Sequence, residues 1–95
     1  MDVGQAIRTL RQKQGMTQGQ LAEKVYMSSN AISMLEIGKR FPPMGTVERL
    51  CKAFGVSIAY FLMTTIEECD FPESKRILYR TSLEPLRDAL IEPEE

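Results

Sequence analysis

Histidine is absent from this sequence of 95 residues. Its absence excludes the Ser-His and Cys-His nucleophile pairs, the HExxH zinc site and the usual proton carrier at neutral pH. The chain also has no Walker phosphate loop and no GxGxxG segment. Catalysis by carboxylates alone remains conceivable, but no pair of acids lies beside an evident pocket. We therefore expect a protein that is not an enzyme and needs no cofactor.

Cysteine and long apolar runs are scarce as well. Two cysteines, Cys51 and Cys69, are too few and too far apart for a metal site. Cys51 falls on an apolar helical stripe and is expected in the core, whereas a disulfide across a dimer through Cys69 is disfavoured in a reducing cytosol. No apolar run approaches the roughly 20 residues that span a bilayer, and the start of the chain lacks the regions of a signal peptide. These features predict a cytoplasmic protein.

Charge is divided unevenly along the chain. Residues 1–63 contain eight basic and four acidic residues, a net charge of +4, whereas residues 64–95 contain four basic and nine acidic residues, a net charge of −5. A basic domain followed by an acidic tail is typical of a module that binds a polyanion with one end only. Two solvated surfaces of unequal charge are the alternative.

Helix start and stop residues recur along residues 1–63, and no segment alternates like a strand. An apolar face predicts a first helix over Val3–Gln14. Thr17 and Gln20 form a capping box that opens a second helix. Ser28 caps a third helix, which Gly38 ends.

The remaining helices are predicted in the same way. Thr46 is expected to cap a fourth helix that ends at Gly55, and Ser57 to cap a fifth that runs through Leu62. The sequence therefore predicts an all-α fold, a compact five-helix domain over residues 1–63. Residues 64–95 are predicted to form a linker and an acidic helical tail.

One or two helices are expected in this tail, over 72–80 and 83–91, with 92–95 frayed. Asp70 with Glu73 and Thr81 with Glu84 are the expected capping pairs. Pro85 then falls in a first turn, where its missing N–H costs little.

The segment TQGQLAEKVYMSSNAISMLEIGKR resembles the phage-repressor/Cro (XRE-type) helix-turn-helix family. Thr-Gln opens the second helix, Leu-Ala follows with the small Ala22 at the helix crossing, and Ile-x-x-Leu-Glu-x-Gly-Lys closes the third. The resemblance extends from about Val3 to Leu62 and includes FGVSIAYFL. It implies a DNA-binding regulator whose third helix, residues 29–37, lies in the major groove.

The face of the third helix opposite Ile32 and Leu35 is small and uncharged. Asn30 can contact an adenine edge through two hydrogen bonds, the serines can donate or accept, and Met34 can lie against a thymine methyl. The candidate base contacts are Ser29, Asn30, Ser33 and Met34. A solvated helix face would have a similar composition, and Met34 could equally pack against the neighbouring loop.

Phosphate contacts are expected from helix starts and from cations. The resemblance implies that Gln18, in the first turn of the second helix, meets a phosphate through its side chain or its backbone N–H. Ser28 is placed to do the same. Lys39 and Arg40 follow the recognition helix and are placed to contact the DNA backbone, with surface solvation as the alternative.

Two further features concern structure. Arg11 and Glu36 both fall on inward faces, and the resemblance implies an ion pair that joins the first and third helices. Tyr26 stands where the family often has glycine. If that turn needs a positive φ, a tyrosine costs on the order of 1 kcal/mol, and its ring is then available for packing or for a phosphate contact.

We consider two functions for the whole chain. The first is a sequence-specific DNA-binding regulator that binds a palindromic operator as a homodimer, in which residues 66–95 hold the dimer together without touching DNA. The alternative is an antitoxin-like module whose tail binds a partner protein. Packing of the tail on its own domain also remains open. The candidate dimerisation residues are Ile77, Leu78, Leu83, Leu86 and Leu90.

Overall fold

A computed structural model describes residues 1–92 of the chain. The predicted frayed end, 92–95, lies outside this range except for Glu92, which is the C-cap of the last helix. Over the described residues the fold is all-α, without a strand, as predicted. The first five helices are α1 (Val3–Lys13), α2 (Gln18–Lys24), α3 (Ser29–Glu36), α4 (Met44–Phe54) and α5 (Ile58–Thr65).

Three of the predicted helix starts are confirmed by their capping hydrogen bonds. The Gln20 backbone N–H donates to Thr17 Oγ1 (3.1 Å) and the Thr17 N–H donates to Gln20 Oε1 (2.9 Å), which completes the capping box of α2. Ser28 and Ser57 accept from the third residue of α3 and α5 respectively. Gly38 follows α3 at φ 80°, a conformation that glycine adopts without steric cost.

The core lies where the apolar faces of the five helices meet. Ile7, Leu21, Ile32, Leu50 and Phe61 have no solvent exposure. Full burial of each such side chain contributes about 1.5–3 kcal/mol relative to exposure. Cys51 belongs to the same core, and its burial raises the pKa of the thiol above its usual value.

The predicted start of α4 is wrong. The helix begins at Met44 with Pro43 as its N-cap, and Thr46 is buried inside the first turn. The Pro43 carbonyl accepts the N–H groups of Thr46 (2.9 Å) and Val47 (3.0 Å). Proline is tolerated here because the first N–H groups of a helix have no intrahelical partner. The Thr46 hydroxyl accepts from Arg49 instead of capping the helix.

Helix α5 continues to Thr65, beyond the predicted end at Leu62 and beyond the predicted domain boundary at residue 63. Thr64 donates to the Phe61 carbonyl (2.6 Å), and Thr65 donates to the Leu62 carbonyl (2.7 Å). These bonds satisfy the two hydroxyls within the helix, so residues of polar appearance are buried there.

The predicted tail helix over 83–91 is confirmed to within one residue, whereas the segment predicted over 72–80 becomes α-helical only at Arg76. After two 3₁₀ turns, Glu68–Asp70 and Glu73–Lys75, helical structure runs without a break through α6 (Arg76–Leu78), a π-helical turn (Tyr79–Leu83) and α7 (Glu84–Ile91). We call residues 76–91 the tail helix.

Neither predicted capping pair of the tail forms. Thr81 lies in the π turn and donates to the Ile77 carbonyl (2.8 Å). Asp70 instead accepts from the Glu67 N–H and from the Met1 amino group. Pro85 lies in the first turn of α7 as predicted, directly after the π turn. A wider turn before a proline accommodates its missing N–H.

The tail helix packs on α5 of its own chain. The Tyr60 hydroxyl donates to the Leu90 carbonyl (2.6 Å), and Arg87 Nη1 donates to the Ile66 carbonyl (2.9 Å) and to the Tyr79 hydroxyl (2.7 Å). Tyr79 is only 3% exposed. Packing on its own domain, one of the alternatives from the sequence, therefore accounts for one face of the tail.

The other face of the tail helix is open. Ile77, Leu78 and Leu86 are 58%, 54% and 48% exposed. Leu83 and Leu90 are half-buried. The tail helix therefore presents apolar side chains on its outer face as well, and no part of residues 1–92 covers them.

Candidate nucleic-acid interface

The starts of α2 and α3 lie side by side at one end of the domain. A Cβ placed on Gly19 in the first turn of α2 would lie 4.0 Å from Ser29 Oγ in the first turn of α3. The two helices pack through Leu21 and Ala22, both essentially buried. The small Ala22 permits this close crossing, as predicted. The unbonded N–H groups of two helix N-termini therefore border a common surface, a favourable setting for anions.

The predicted base-contacting stripe lies on the outer side of α3. Ile32 (0% exposed) and Leu35 (3%) fix the opposite side of the helix in the core. Ser29 and Asn30 are exposed, and Ser33 and Met34 are half-buried. Ser29 and Asn30, nearest the helix start, are therefore accessible to a ligand, whereas Ser33 and Met34 are less accessible.

The predicted phosphate contacts precede and follow this stripe in the chain. Ser28 is exposed, but its Oγ accepts from the Ala31 N–H (3.1 Å) and so serves as the cap. Lys39 and Arg40 are exposed, and neither forms an ion pair with a carboxylate within residues 1–92. Two cations thus follow α3 with their charge available to an external anion.

Gln18 has a contact that the sequence did not predict. Its Nε2 donates to Glu36 Oε1 (3.2 Å) across the junction of α2 and α3. One amide proton is therefore engaged inside the protein. Its remaining proton and the backbone N–H of the first turn are the groups left to meet an anion. The hydrogen bond from Gln18 to Glu36 could not be predicted from the sequence, because the two residues are 18 positions apart and give no local signal.

A buried ion pair holds α3 against α1. Arg11 Nε lies 2.7 Å from Glu36 Oε2, and Arg11 Nη2 lies 3.0 Å from Glu36 Oε1. Arg11 Nη1 also donates to the Met16 carbonyl (2.9 Å). The hydrogen bond to Glu36 is the largest reason why the pKa of Arg11 is raised above its ordinary value. The pair that the resemblance implied is confirmed.

Gly4 also determines where α3 lies, a role that the sequence did not predict. A Cβ on Gly4 would approach the Leu35 carbonyl oxygen to 2.5 Å and the Glu36 carbonyl oxygen to 2.6 Å. The backbone of α1 therefore touches the end of α3 at a point where only glycine fits. The sequence feature that could have indicated this contact is a glycine within an amphipathic helix.

Tyr26 occupies the turn between α2 and α3 at φ 59°, the one non-glycine residue with positive φ in residues 1–92. Its side chain is 89% exposed. The turn therefore has the positive φ that strains a tyrosine, and the tyrosine ring does not pack against the domain.

Two packed helices, a close turn between them and an exposed stripe on the second together form a helix-turn-helix. The model of the helix-turn-helix family matches residues 7–61, more than half of the chain. The chain belongs to this family of DNA-binding transcriptional regulators. No solved structure matches it significantly.

Curated relatives share this helix-turn-helix region. The competence pilus inhibition repressor of Acinetobacter baylyi is 41% identical over 63 residues, 66% of this chain and 57% of that protein. The HTH-type transcriptional activator BcrR of Enterococcus faecalis is 40% identical over 58 residues, 61% of this chain and 28% of that protein. The immunity repressor protein of Bacillus phage phi105 is 34% identical over 59 residues, 62% of this chain and 41% of that protein.

These matches cover less than three fifths of each relative's length, and the names include both repressors and an activator. The likeness therefore concerns the helix-turn-helix domain and leaves the direction of regulation open. The tail helix lies beyond the matched family region.

Two further observations concern other kinds of function. Among residues 1–92, no helix has both the length and the apolar character needed to cross a membrane. In the same range, no three metal-binding side chains lie close enough together to hold an ion.

Proposed function

We propose that this protein is a sequence-specific transcriptional regulator that binds a palindromic operator as a homodimer. Residues 29–37 lie in the major groove, where Ser29, Asn30, Ser33 and Met34 contact bases. The observation that carries this proposal is the uncharged stripe on α3, which is exposed at Ser29 and Asn30. The buried Arg11–Glu36 pair holds it in place. An uncharged stripe suits base edges, whose hydrogen-bonding groups are neutral.

The flanking groups supply affinity without sequence preference. Lys39 and Arg40 neutralise phosphates on one side of the stripe, and the first turns of α2 and α3, with Gln18 and Ser28, present N–H groups on the other. The acidic tail lies outside the groove because its charge is repelled by phosphates. Chromosomal DNA as the target implies a cytoplasmic location.

Dimerisation through the tail is supported by the open apolar face of the tail helix. Ile77, Leu78 and Leu86 are about half exposed or more, and a second copy can cover apolar side chains of this kind. Leu83 and Leu90 are half-buried and are the other candidate dimerisation residues. A single small domain makes few base contacts, and two half-sites one helical turn apart, about 34 Å, multiply its discrimination.

Selection of bound duplexes from a random library tests the proposed DNA function. A recovered motif with two inverted half-sites, bound by two copies of the chain in sedimentation, is the expected result. Enrichment of no motif would contradict sequence-specific binding. A single, asymmetric half-site bound by one copy would contradict the homodimer.

The same tail face supports the antitoxin-like alternative. Residues 64–95 carry a net charge of −5, and their helix has three exposed apolar side chains, a combination that also suits a basic partner protein. In that case the chain would copurify with a stoichiometric second protein, and charge or polarity changes at Ile77 or Leu86 would abolish that complex. A chain that purifies alone as a dimer favours the regulator. An antitoxin that also binds its own promoter would show both properties.

A further inference from the structure

Three of the five large apolar side chains that are exposed in residues 1–65 lie within eight consecutive residues. Ile37, Phe41 and Met44 are 62%, 70% and 58% exposed. Single apolar side chains scattered over a surface are common, whereas a concentration of them in one short segment is typical of a surface that meets another molecule. The segment consists of the connection between α3 and α4, residues 37–43, and the first residue of α4. We call residues 37–43 the α3–α4 loop.

The start of the α3–α4 loop is fixed beside the candidate base-contacting stripe. The Gly38 N–H donates to the Leu35 carbonyl (3.2 Å), and the Lys39 N–H donates to the Met34 carbonyl (3.0 Å). These are the two hydrogen bonds of a Schellman motif, which turns the chain back at the end of a helix. The backbone of Lys39 therefore lies next to that of Met34, the last residue of the stripe.

The end of the α3–α4 loop is fixed in the domain. Pro42 is buried, and the Pro43 carbonyl accepts the first N–H groups of α4. Each proline also restricts its own φ. Phe41 directly precedes these two residues, yet its ring is exposed. The loop thus presents the ring from a backbone that is held at both ends, so little conformational freedom is lost when the ring meets a partner.

The residues that precede Phe41 in the loop are cationic. Lys39 and Arg40 are exposed, and neither has a carboxylate within 4.0 Å in residues 1–92. An aromatic ring beside two such cations suits a partner that has both negative charge and apolar faces. Duplex DNA has both, because deoxyribose rings alternate with phosphates along each strand. An anionic membrane surface has both as well, but the loop adjoins the stripe of a DNA-binding domain, which favours DNA.

We propose that the Phe41 ring packs against deoxyribose sugars in the minor groove that flanks each bound half-site. This inference rests on the proposed placement of α3 in the major groove. Beyond the end of α3 the chain passes the phosphate backbone, where Lys39 and Arg40 meet phosphates. From Lys39 to Phe41 an extended chain spans about 7 Å, which brings the ring to the sugars on the far side of one phosphate row. Phe41 then adds affinity without sequence preference, because every nucleotide has the same sugar.

Binding to duplex DNA of random sequence tests this inference apart from operator recognition. A duplex of about 12 base pairs, little more than one helical turn, is too short for two half-sites, so dimerisation does not enter. Fluorescence anisotropy of the labelled duplex gives the affinity at several salt concentrations. Phe41→Ser should weaken binding roughly tenfold, the loss expected when the apolar contact of a partly buried ring is removed. Phe41→Leu should retain most of the affinity.

The salt dependence separates the ring from the cations. Phe41→Ser should keep the parent's slope of log K against log salt, since no phosphate contact is removed. Leu78→Ser, which removes a similarly exposed side chain (54%) from the tail helix, is the matched control and should leave the affinity unchanged. Because Phe41 is exposed, Phe41→Ser should also keep the melting temperature of the parent, which circular dichroism measures.

Hydroxyl-radical cleavage of the selected operator locates the contact. These radicals attack deoxyribose through the minor groove. Sugars that flank each half-site should be protected by the parent and cleaved in the complex with Phe41→Ser. Protection that is identical in the two complexes would overturn the proposed position of the ring.

The outcomes distinguish this inference from the proposed function. Unchanged affinity of Phe41→Ser for random duplex would overturn the inference and leave operator binding intact. Weaker binding with a shallower salt slope, or equal weakening by Leu78→Ser, would overturn it as well. Loss of binding to phosphatidylglycerol vesicles with unchanged DNA binding would assign the ring to a membrane surface instead. A parent that binds random duplex through Phe41 but selects no motif would contradict operator recognition alone, and a parent that binds no duplex would overturn both.

Discussion

Arg11 and Glu36 form a two-point ion pair between α1 and the last residue of the recognition helix, with nitrogen–oxygen distances of 2.7 and 3.0 Å. The Glu36 side chain is 3% exposed and that of Arg11 is 12% exposed. The same carboxylate also accepts from Gln18, so one buried acid joins α1, α2 and α3. The orientation of the candidate base-contacting stripe of α3 therefore depends on a buried carboxylate that is not itself part of the stripe.

Removal of one partner of this pair is expected to be costly. Arg11→Met should lower the free energy of unfolding by roughly 3–5 kcal/mol, because Glu36 is left buried without its cation. The double variant with Glu36→Leu should recover much of this stability, since no buried charge remains. Urea denaturation of the two single variants and the double variant measures the coupling. Strictly additive effects would contradict the pair.

Asn30 is predicted to identify a base. Asn30→Ala should weaken operator binding by about 1–3 kcal/mol per half-site and relax the preference at one base pair, with binding to random DNA nearly unchanged. Affinities for the selected operator, for single-base variants of it and for random duplex give the comparison. Gln12→Ala, on the exposed side of α1, is the control. Equal weakening on operator and random DNA would rule out base recognition.

Lys39 is predicted to bind phosphate. Lys39→Ala should weaken binding to all duplexes about equally and make the slope of log K against log salt shallower by roughly 0.9 for each phosphate that is no longer neutralised. Lys75→Ala, which removes an exposed charge from the tail, should leave the slope unchanged. The measurement is a salt titration of both variants. A slope equal to that of the parent would show that Lys39 is only solvated.

Tyr26 carries backbone strain that packing does not offset. Its φ of 59° costs a non-glycine residue on the order of 1–2 kcal/mol, and its ring is 89% exposed. Tyr26→Gly relieves the strain but adds about 0.5–1 kcal/mol of backbone entropy cost. Tyr26→Asn keeps a side chain that tolerates this region.

Both substitutions are expected to raise the melting temperature by a few degrees, since 1 kcal/mol corresponds to about 4–8 °C in a domain of this size. Tyr26→Val should lower it, because a branched side chain resists positive φ. Thermal unfolding followed by circular dichroism provides the comparison. A destabilised Tyr26→Gly would mean that the exposed ring makes a stabilising contact.

The open face of the tail helix is predicted to join two copies. Ile77→Ser with Leu86→Ser should convert a dimer to a monomer in sedimentation while the helical content is retained, since both side chains are exposed in the single chain. Ile37→Ser removes an equally exposed isoleucine (62%) outside the tail and is the control. A dimer that persists in the double serine variant would place the interface elsewhere in the molecule.

Helix caps and helix faces depend on residues close together in the chain, so they could be predicted from the sequence alone. The capping box of Thr17 and Gln20 and the caps at Ser28 and Ser57 depend on residues three positions apart, so their effect can be predicted without a fold. The stripe from Ser29 to Met34 follows in the same way from helical periodicity. The candidate base contacts therefore required no tertiary information.

The predictions of helix caps were wrong where the side chain, or the N–H group that it was expected to bind, forms a different hydrogen bond in the folded chain. Thr46 matched a cap, yet the carbonyl of Pro43 already accepts the first N–H groups of α4. Asp70 matched a cap, yet its carboxylate bonds to the amino group of Met1, 69 residues away. Thr81 matched a cap, yet its hydroxyl bonds back into a continuous helix.

The support of the recognition helix and the surfaces left open depend on tertiary packing. Packing placed Gly4 against the carbonyls at the end of α3, joined Gln18 to Glu36 and laid the tail helix on α5. Each of these contacts joins residues far apart in sequence and is fixed by several helices at once. The exposed face of the tail helix is a consequence of that packing, since periodicity shows that a helix has an apolar face but not which neighbour covers it.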